Sequence, residues 1–184
     1  MEAFVQARMN SQRLPGKVID LINEKPILQY LLESLEQCSS INQVIVTTSI
    51  DESDNSIISF CEEHGVDFYR GPLENVAKRM LDAANHLNLK SFVRISGDSP
   101  LIDSQIIKRA VCVFENGEYD LVTNTFPRSF PVGQSVEVIR TSTFDIAYGR
   151  MSSPDDFEHV TKYYYDYPDE FRINNISNDK NLSG

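Results

Sequence analysis

The chain has 184 residues, with 17 Lys and Arg against 27 Asp and Glu, a formal net charge of −10 at pH 7. That length suits one domain with a sizeable core, and the acidic balance excludes the broad basic face that generic nucleic-acid binding needs. No run approaches the ~20 apolar residues of a membrane span, and no cationic leader precedes an apolar segment at the N-terminus, so a cytoplasmic protein is expected.

Ala3-Phe4-Val5-Gln6 reads as a first strand. Residues 8–17 follow it with Arg8, Arg13 and Lys17 and no acid, a concentration of cations that suits a small polyanion such as a triphosphate. Pro26 then opens a helix with apolar residues at Ile27, Leu28, Leu31, Leu32 and Leu35, proline being tolerated in a first turn. Val44 to Thr48 is a continuous buried-type strand, and Asp51 to His64 a helix stopped by Gly65. Val66 to Tyr69 is a strand, Leu73 to Leu87 a helix, Phe92 to Ile95 a strand, Asp103 to Phe114 a helix and Asp120 to Asn124 a strand. Five β–α alternations with short connections predict an α/β fold of three layers, a mostly parallel sheet between helices on both faces. In such sheets ligands bind at the carboxyl ends of the strands.

Beyond residue 125 the rhythm changes. A loop with Pro127 and Pro131 leads to an alternating strand, Ser135 to Ile139. Ser153 caps a helix that continues through Val160 and Tyr163-Tyr164-Tyr165 and ends before Pro168, and Phe171 to Ile173 forms a last strand. Cys38, Cys61 and Cys112 are too scattered for a Cys-x-x-Cys pair and read as buried free thiols.

Three clusters carry the chemistry. In the first loop, backbone N–H groups around Ser11 and Gly16 can cradle phosphate oxygens while Arg8, Arg13 and Lys17 neutralise charge. It is neither a Walker A loop nor a Gly-x-Gly dinucleotide fingerprint, and its plain alternative is a solvated basic turn. In Ser96-Gly97-Asp98-Ser99-Pro100, a carboxylate just past a central strand is placed to hold a hard cation. Magnesium binds through one or two carboxylates plus substrate phosphates; the plain alternative makes Asp98 a turn residue, and Asp103 reads as a helix N-cap. Arg70 and Arg79 either reach a ligand across the strand ends or are surface cations. His159, beside Glu158 and Thr161, is the one histidine with a neighbouring acid and hydroxyl, and a substrate-side role is open to it.

The run Val5-Gln6-Ala7-Arg8-Met9-x-Ser11-x-Arg13-Leu14-Pro15-Gly16-Lys17, with Gly97-Asp98-x-Pro100-Leu101-Ile102, resembles the cytidylyltransferases that activate acidic sugars. These are the 3-deoxy-manno-octulosonate and acylneuraminate enzymes and the spore coat polysaccharide biosynthesis protein F branch. Arg70-Gly71, Asn124-Thr125-x-Pro127-Arg128 and Glu158-His159-Val160-Thr161 extend the resemblance over nearly the whole chain. It implies a Rossmann-like nucleotide-diphospho-sugar transferase fold and transfer of CMP from CTP to a sugar hydroxyl, with Mg²⁺ as cofactor, in surface polysaccharide synthesis. Ala7, Arg8, Ser11, Arg13, Lys17, Arg70, Arg79 and Gly97 would then hold the nucleotide, Asp98 the metal, and Glu137 and His159 the sugar, with Arg8, Lys17 and Asp98 serving catalysis. Relatives often carry Asp-Gly-x-Asp-Val-Glu where this chain reads Val132-Gly133-Gln134-Ser135-Val136-Glu137, and Asn75 stands where Asp is common. The family pattern also continues past Leu182 into a strand with a further acidic motif, so residues 1–184 are expected to form a single domain lacking that strand. Two rivals stay open: a glycosyltransferase using a ready-made nucleotide sugar, whose Asp-x-Asp motif is not supplied by Asp98-Ser99-Pro100, and a non-catalytic nucleotide-binding relative. A homodimer is expected.

Overall fold

A computed structural model describes residues 1–10 and 14–183. The strands are β1 (Glu2–Gln6), β2 (Leu21–Ile22), β3 (Lys25–Pro26), β4 (Gln43–Ser49), β5 (Asp67–Gly71), β6 (Ser91–Ser96), β7 (Leu121–Thr123), β8 (Glu137–Arg140) and β9 (Ile173–Asn175). The helices are α1 (Ile27–Glu36), α2 (Asn55–His64), α3 (Val76–His86), α4 (Ser104–Glu115), α5 (Thr141–Tyr148), α6 (Pro154–Glu158) and α7 (Lys162–Asp166).

Seven strands form one sheet in the order β5-β4-β1-β6-β8-β7-β9, and β2 pairs with β3 in a separate small hairpin. In the large sheet β8 runs antiparallel to β6 and β7, while the other pairings are parallel. Alternation along the strands makes the three layers. Ala3, Val5, Val46, Val93, Ile95 and Val138 face a core covered by α1, α2 and α4. Phe4, Ile45, Phe92, Leu121 and Ile139 face the opposite core under α3, α5 and α7. On α1 the buried residues are Leu28, Leu31, Leu32 and Leu35, an i, i+3, i+4, i+7 stripe in which each side chain contributes about 1.5–3 kcal/mol.

The chain runs from β1 outward to β4 and β5, then returns through α3 to place β6 on the other side of β1. The connections leaving β1 and β6 therefore run in opposite directions along the sheet, and strand order reverses between them at the topological switch point where open α/β sheets bind ligands.

Several elements differ from the sequence reading. Asp51 caps a short 3₁₀ turn, Glu52–Asp54, so α2 starts at Asn55. Asn75 accepts a hydrogen bond from Lys78 N at 2.8 Å and starts α3 there rather than at Leu73. The single helix expected from Ser153 to Tyr165 is two, α6 and α7. The break falls on β-branched Val160 and Thr161, where a buried valine and a hydrogen bond from Thr161 to Glu137 override helix continuation. Helix α5 lies where no element was expected, and the last strand is shifted to Ile173–Asn175, paired with β7. Asp103 does cap α4, accepting from Gln105 N. Cys38 and Cys61 are buried, but Cys112 is exposed on the outer side of α4.

Candidate active site

The loops after β1 and β6 touch at the switch point. Gly97 N donates to Gln6 O at 2.8 Å, and a Cβ on Gly97 would lie 2.9 Å from that oxygen and 3.2 Å from Ala7 Cβ. Only glycine permits this approach. Ala7 is buried and its N–H donates to Thr47 O at 3.1 Å. The N–H of each residue thus helps to hold the loops in place, and the side chains that follow them, Arg8 and Asp98, border a recess of about 130 Å³ with Lys17 and Ser96.

Beyond Arg8 the loop closes on itself. Gly16 adopts φ +76 and its N–H donates to Met9 O at 2.8 Å, after which Lys17 opens a 3₁₀ turn, Lys17–Ile19. Ser11 and Arg13 lie outside the described residues. The base of the loop is anchored by a residue that sequence reasoning missed. Asp54, fully buried, accepts from Met9 N at 2.7 Å, Thr48 Oγ1 at 3.0 Å and Ser49 N at 3.0 Å, and from Ser49 Oγ. Its sequence signal was hidden because Asp51 to His64 reads as one helix.

The recess opens into a cleft of about 890 Å³. One wall carries Arg8, Asn10 and Lys17; the facing wall is α6 and its end, with Asp155, Phe157, Glu158 and His159. Each cation holds an acid. Lys17 Nζ pairs with Asp98 Oδ2, and Ser96 Oγ donates to Asp98 Oδ1 at 2.6 Å. Arg8 grips Glu158 with both terminal nitrogens, Nη1 to Oε2 at 3.1 Å and Nη2 to Oε1. Burial pushes the Asp98 carboxyl up, but the hydrogen bonds from Lys17 and Ser96 and the Lys17 charge outweigh it and hold the group below its ordinary range. Asp98 is therefore ionised at neutral pH. Among the described residues no three His, Cys, Asp or Glu side chains cluster as a metal cage. One ionised carboxylate beside a phosphate-sized recess fits a magnesium ion that takes the rest of its shell from phosphate and water.

Other expected ligand residues are placed differently. Arg79 is fully buried, its stem lying across Gly71 and its Nη1 donating to Pro72 O at 2.7 Å. Burial pulls its guanidinium down to about 10, and it does not border the cleft. Arg70 donates from Nε to Ser49 O at 2.8 Å and from Nη2 to Asp51 O at 3.0 Å, bracing the loop after β4 rather than facing the cleft. Glu137 is buried, paired with Arg94 and accepting from Thr161 Oγ1 at 2.6 Å and Tyr165 OH at 2.7 Å, so its oxygens are committed within the protein. His159 borders the large cleft and also a second pocket of about 260 Å³ with Arg94, Lys162 and Tyr165.

The switch point of the sheet thus gathers an arginine and a lysine from one loop and a carboxylate from the next, where open α/β sheets take their ligands. Residues 3–178 match the family model described as cytidylyltransferase, and the chain belongs to that family. It is 27% identical over 178 residues to the spore coat polysaccharide biosynthesis protein SpsF of Bacillus subtilis, covering 92% of this chain and 72% of that one. It is 28% identical over 184 residues to a 3-deoxy-manno-octulosonate cytidylyltransferase of Hydrogenovibrio crunogenus, covering 88% and 73%. A solved cytidylyltransferase from Leptospira borgpetersenii superposes with a TM-score of 0.93 at 30% identity, over 99% of this chain and 78% of that one. The fold is thus the nucleotidyltransferase fold of the cytidylyltransferases.

Proposed function

We propose that the protein transfers CMP from CTP to a hydroxyl of a sugar acid and releases pyrophosphate, in the synthesis of a surface polysaccharide. The observation that carries this reading is the convergence of Arg8, Lys17 and Asp98 on one recess at the switch point of a cytidylyltransferase-family chain. The relatives named for sugar-acid activation and spore coat polysaccharide support the choice of acceptor and pathway class. In the step, the acceptor oxygen bonds to the α-phosphorus as the bond from that phosphorus to the bridging oxygen breaks. The electron pair leaves with pyrophosphate and the hydroxyl proton passes to solvent or a base. Such displacements are accelerated mainly by positioning and charge neutralisation. Arg8 and Lys17 meet the polyphosphate charge, Ser96 keeps the Asp98 carboxylate oriented, and α6 lines the cleft. Magnesium held by Asp98, when bound, would neutralise charge on the reacting phosphates. The proposal also takes the protein to act in the cytoplasm and as a homodimer.

The test is pyrophosphate release on incubation with each NTP, Mg²⁺ and a panel of acidic sugars. Release that requires CTP and a sugar acid together is expected. Turnover with another NTP alone, or CTP binding with no release for any acceptor, overturns the reading.

A further inference from the structure

We propose that Glu158 is the resident counter-ion of Arg8, a positioning residue that polyphosphate must displace and that thereby sets the affinity of the cleft for nucleotide. The inference rests on reading the cleft as a polyphosphate site and adds to it a competitor built into the chain. The two residues are 150 positions apart and face each other across the cleft. The carboxylate engages both terminal nitrogens of the guanidinium, which is the fork geometry that a phosphate would use. A phosphate oxygen pair and Glu158 therefore compete for the same donors.

Three observations separate this pair from a structural ion pair. Both side chains are about a quarter exposed, 26% and 28%, so a ligand in the cleft can reach them. Glu158 has no hydrogen-bond partner besides Arg8 among the described residues, whereas Asp54 and Glu137 each bind several groups. Glu158 is also the last residue of a five-residue helix whose order comes from its other end, where Ser153 and Asp156 form a reciprocal capping box. The next residue, His159, has already left helical geometry at φ −101 and ψ 76. Losing Arg8 would free Glu158 without dismantling α6. Asp98, the acid paired with the other cation of the loop, differs in kind, because it is also held by Ser96 and stands where a metal would use it.

The experiment is calorimetric titration of inorganic tripolyphosphate, and separately of CTP with Mg²⁺, into the wild type, Glu158→Gln, Arg8→Gln and the double variant, with melting curves confirming that each is folded. Removing a competitor charge that is only about a quarter exposed is expected to tighten both ligands about threefold to tenfold. The gain should vanish when Arg8 is absent, so the double variant matches Arg8→Gln. In turnover, Glu158→Gln should lower the KM for CTP and leave kcat no higher. Unchanged or weaker binding of tripolyphosphate by Glu158→Gln overturns the inference, as does a gain that persists without Arg8. Wild-type binding of tripolyphosphate but not of CTP would instead count against the proposed function alone, and binding of neither ligand by any variant would overturn both.

Discussion

Asp98 holds its charge because two donors outweigh the cost of its partial burial. Its carboxyl lies below the ordinary value of about 3.9, so its contribution to stability is fully present above that value and is lost as pH falls through the lower, folded value. No titration of Asp98 should appear in activity between pH 5 and 8. Asp98→Asn keeps the shape and the Ser96 contact but removes the charge facing Lys17. Mg²⁺-dependent pyrophosphate release is expected to fall about 10²-fold or more, while the acid unfolding profile below about pH 4 becomes flatter. Steady-state kinetics and circular dichroism against pH measure the two effects. Unchanged turnover would remove Asp98 from the metal assignment.

The loop after β1 owes its position to another element. Asp54, in the 3₁₀ turn before α2, ties Met9 N to the end of β4 through Thr48 and Ser49. Asp54→Ala leaves two backbone N–H groups and two hydroxyls without their acceptor inside the protein. Each such group costs about 1–3 kcal/mol, so urea unfolding should register a loss of about 3 kcal/mol or more, with weaker CTP binding at temperatures where the variant is folded. A loss below about 1 kcal/mol would mean that the loop does not depend on this anchor. Arg70 supports the same region from β5 by bracing the loop carbonyls of Ser49 and Asp51. Arg79 fills the space that Gly71 leaves. Two arginines that read in sequence as ligand contacts therefore build the floor behind the site.

Across the whole molecule the two cores decide which groups can react. Cys61 is fully buried and burial pushes its thiol up to about 12, Cys38 is buried beside Ser104, and Cys112 is exposed. Titration of the native protein with a thiol-reactive dye should therefore label Cys112 rapidly and the other two only on unfolding. Rapid labelling of all three would contradict the burial of α2 and the end of α1.

The sheet was legible because its information is local. Short apolar runs such as Phe92 to Ile95 and period-3.6 runs such as Leu28 to Leu35 declare strand and helix within a few residues. The basic loop and Gly97-Asp98 were legible for the same reason, since cations without acids and a Gly-Asp step are visible in the chain itself. The antiparallel course of β8, the break between α6 and α7, and the partners of each charge were not. Whether Arg8 meets Glu158, or Arg79 disappears beneath Gly71, depends on how the crossovers bring segments as much as 150 residues apart into contact. The sequence by itself determined the layers and the loops that join them, because backbone preference and hydrophobic periodicity act over short range. Only the tertiary structure decided which of its charges face the cleft and which are committed to one another, because desolvation and ion pairing depend on neighbours in space.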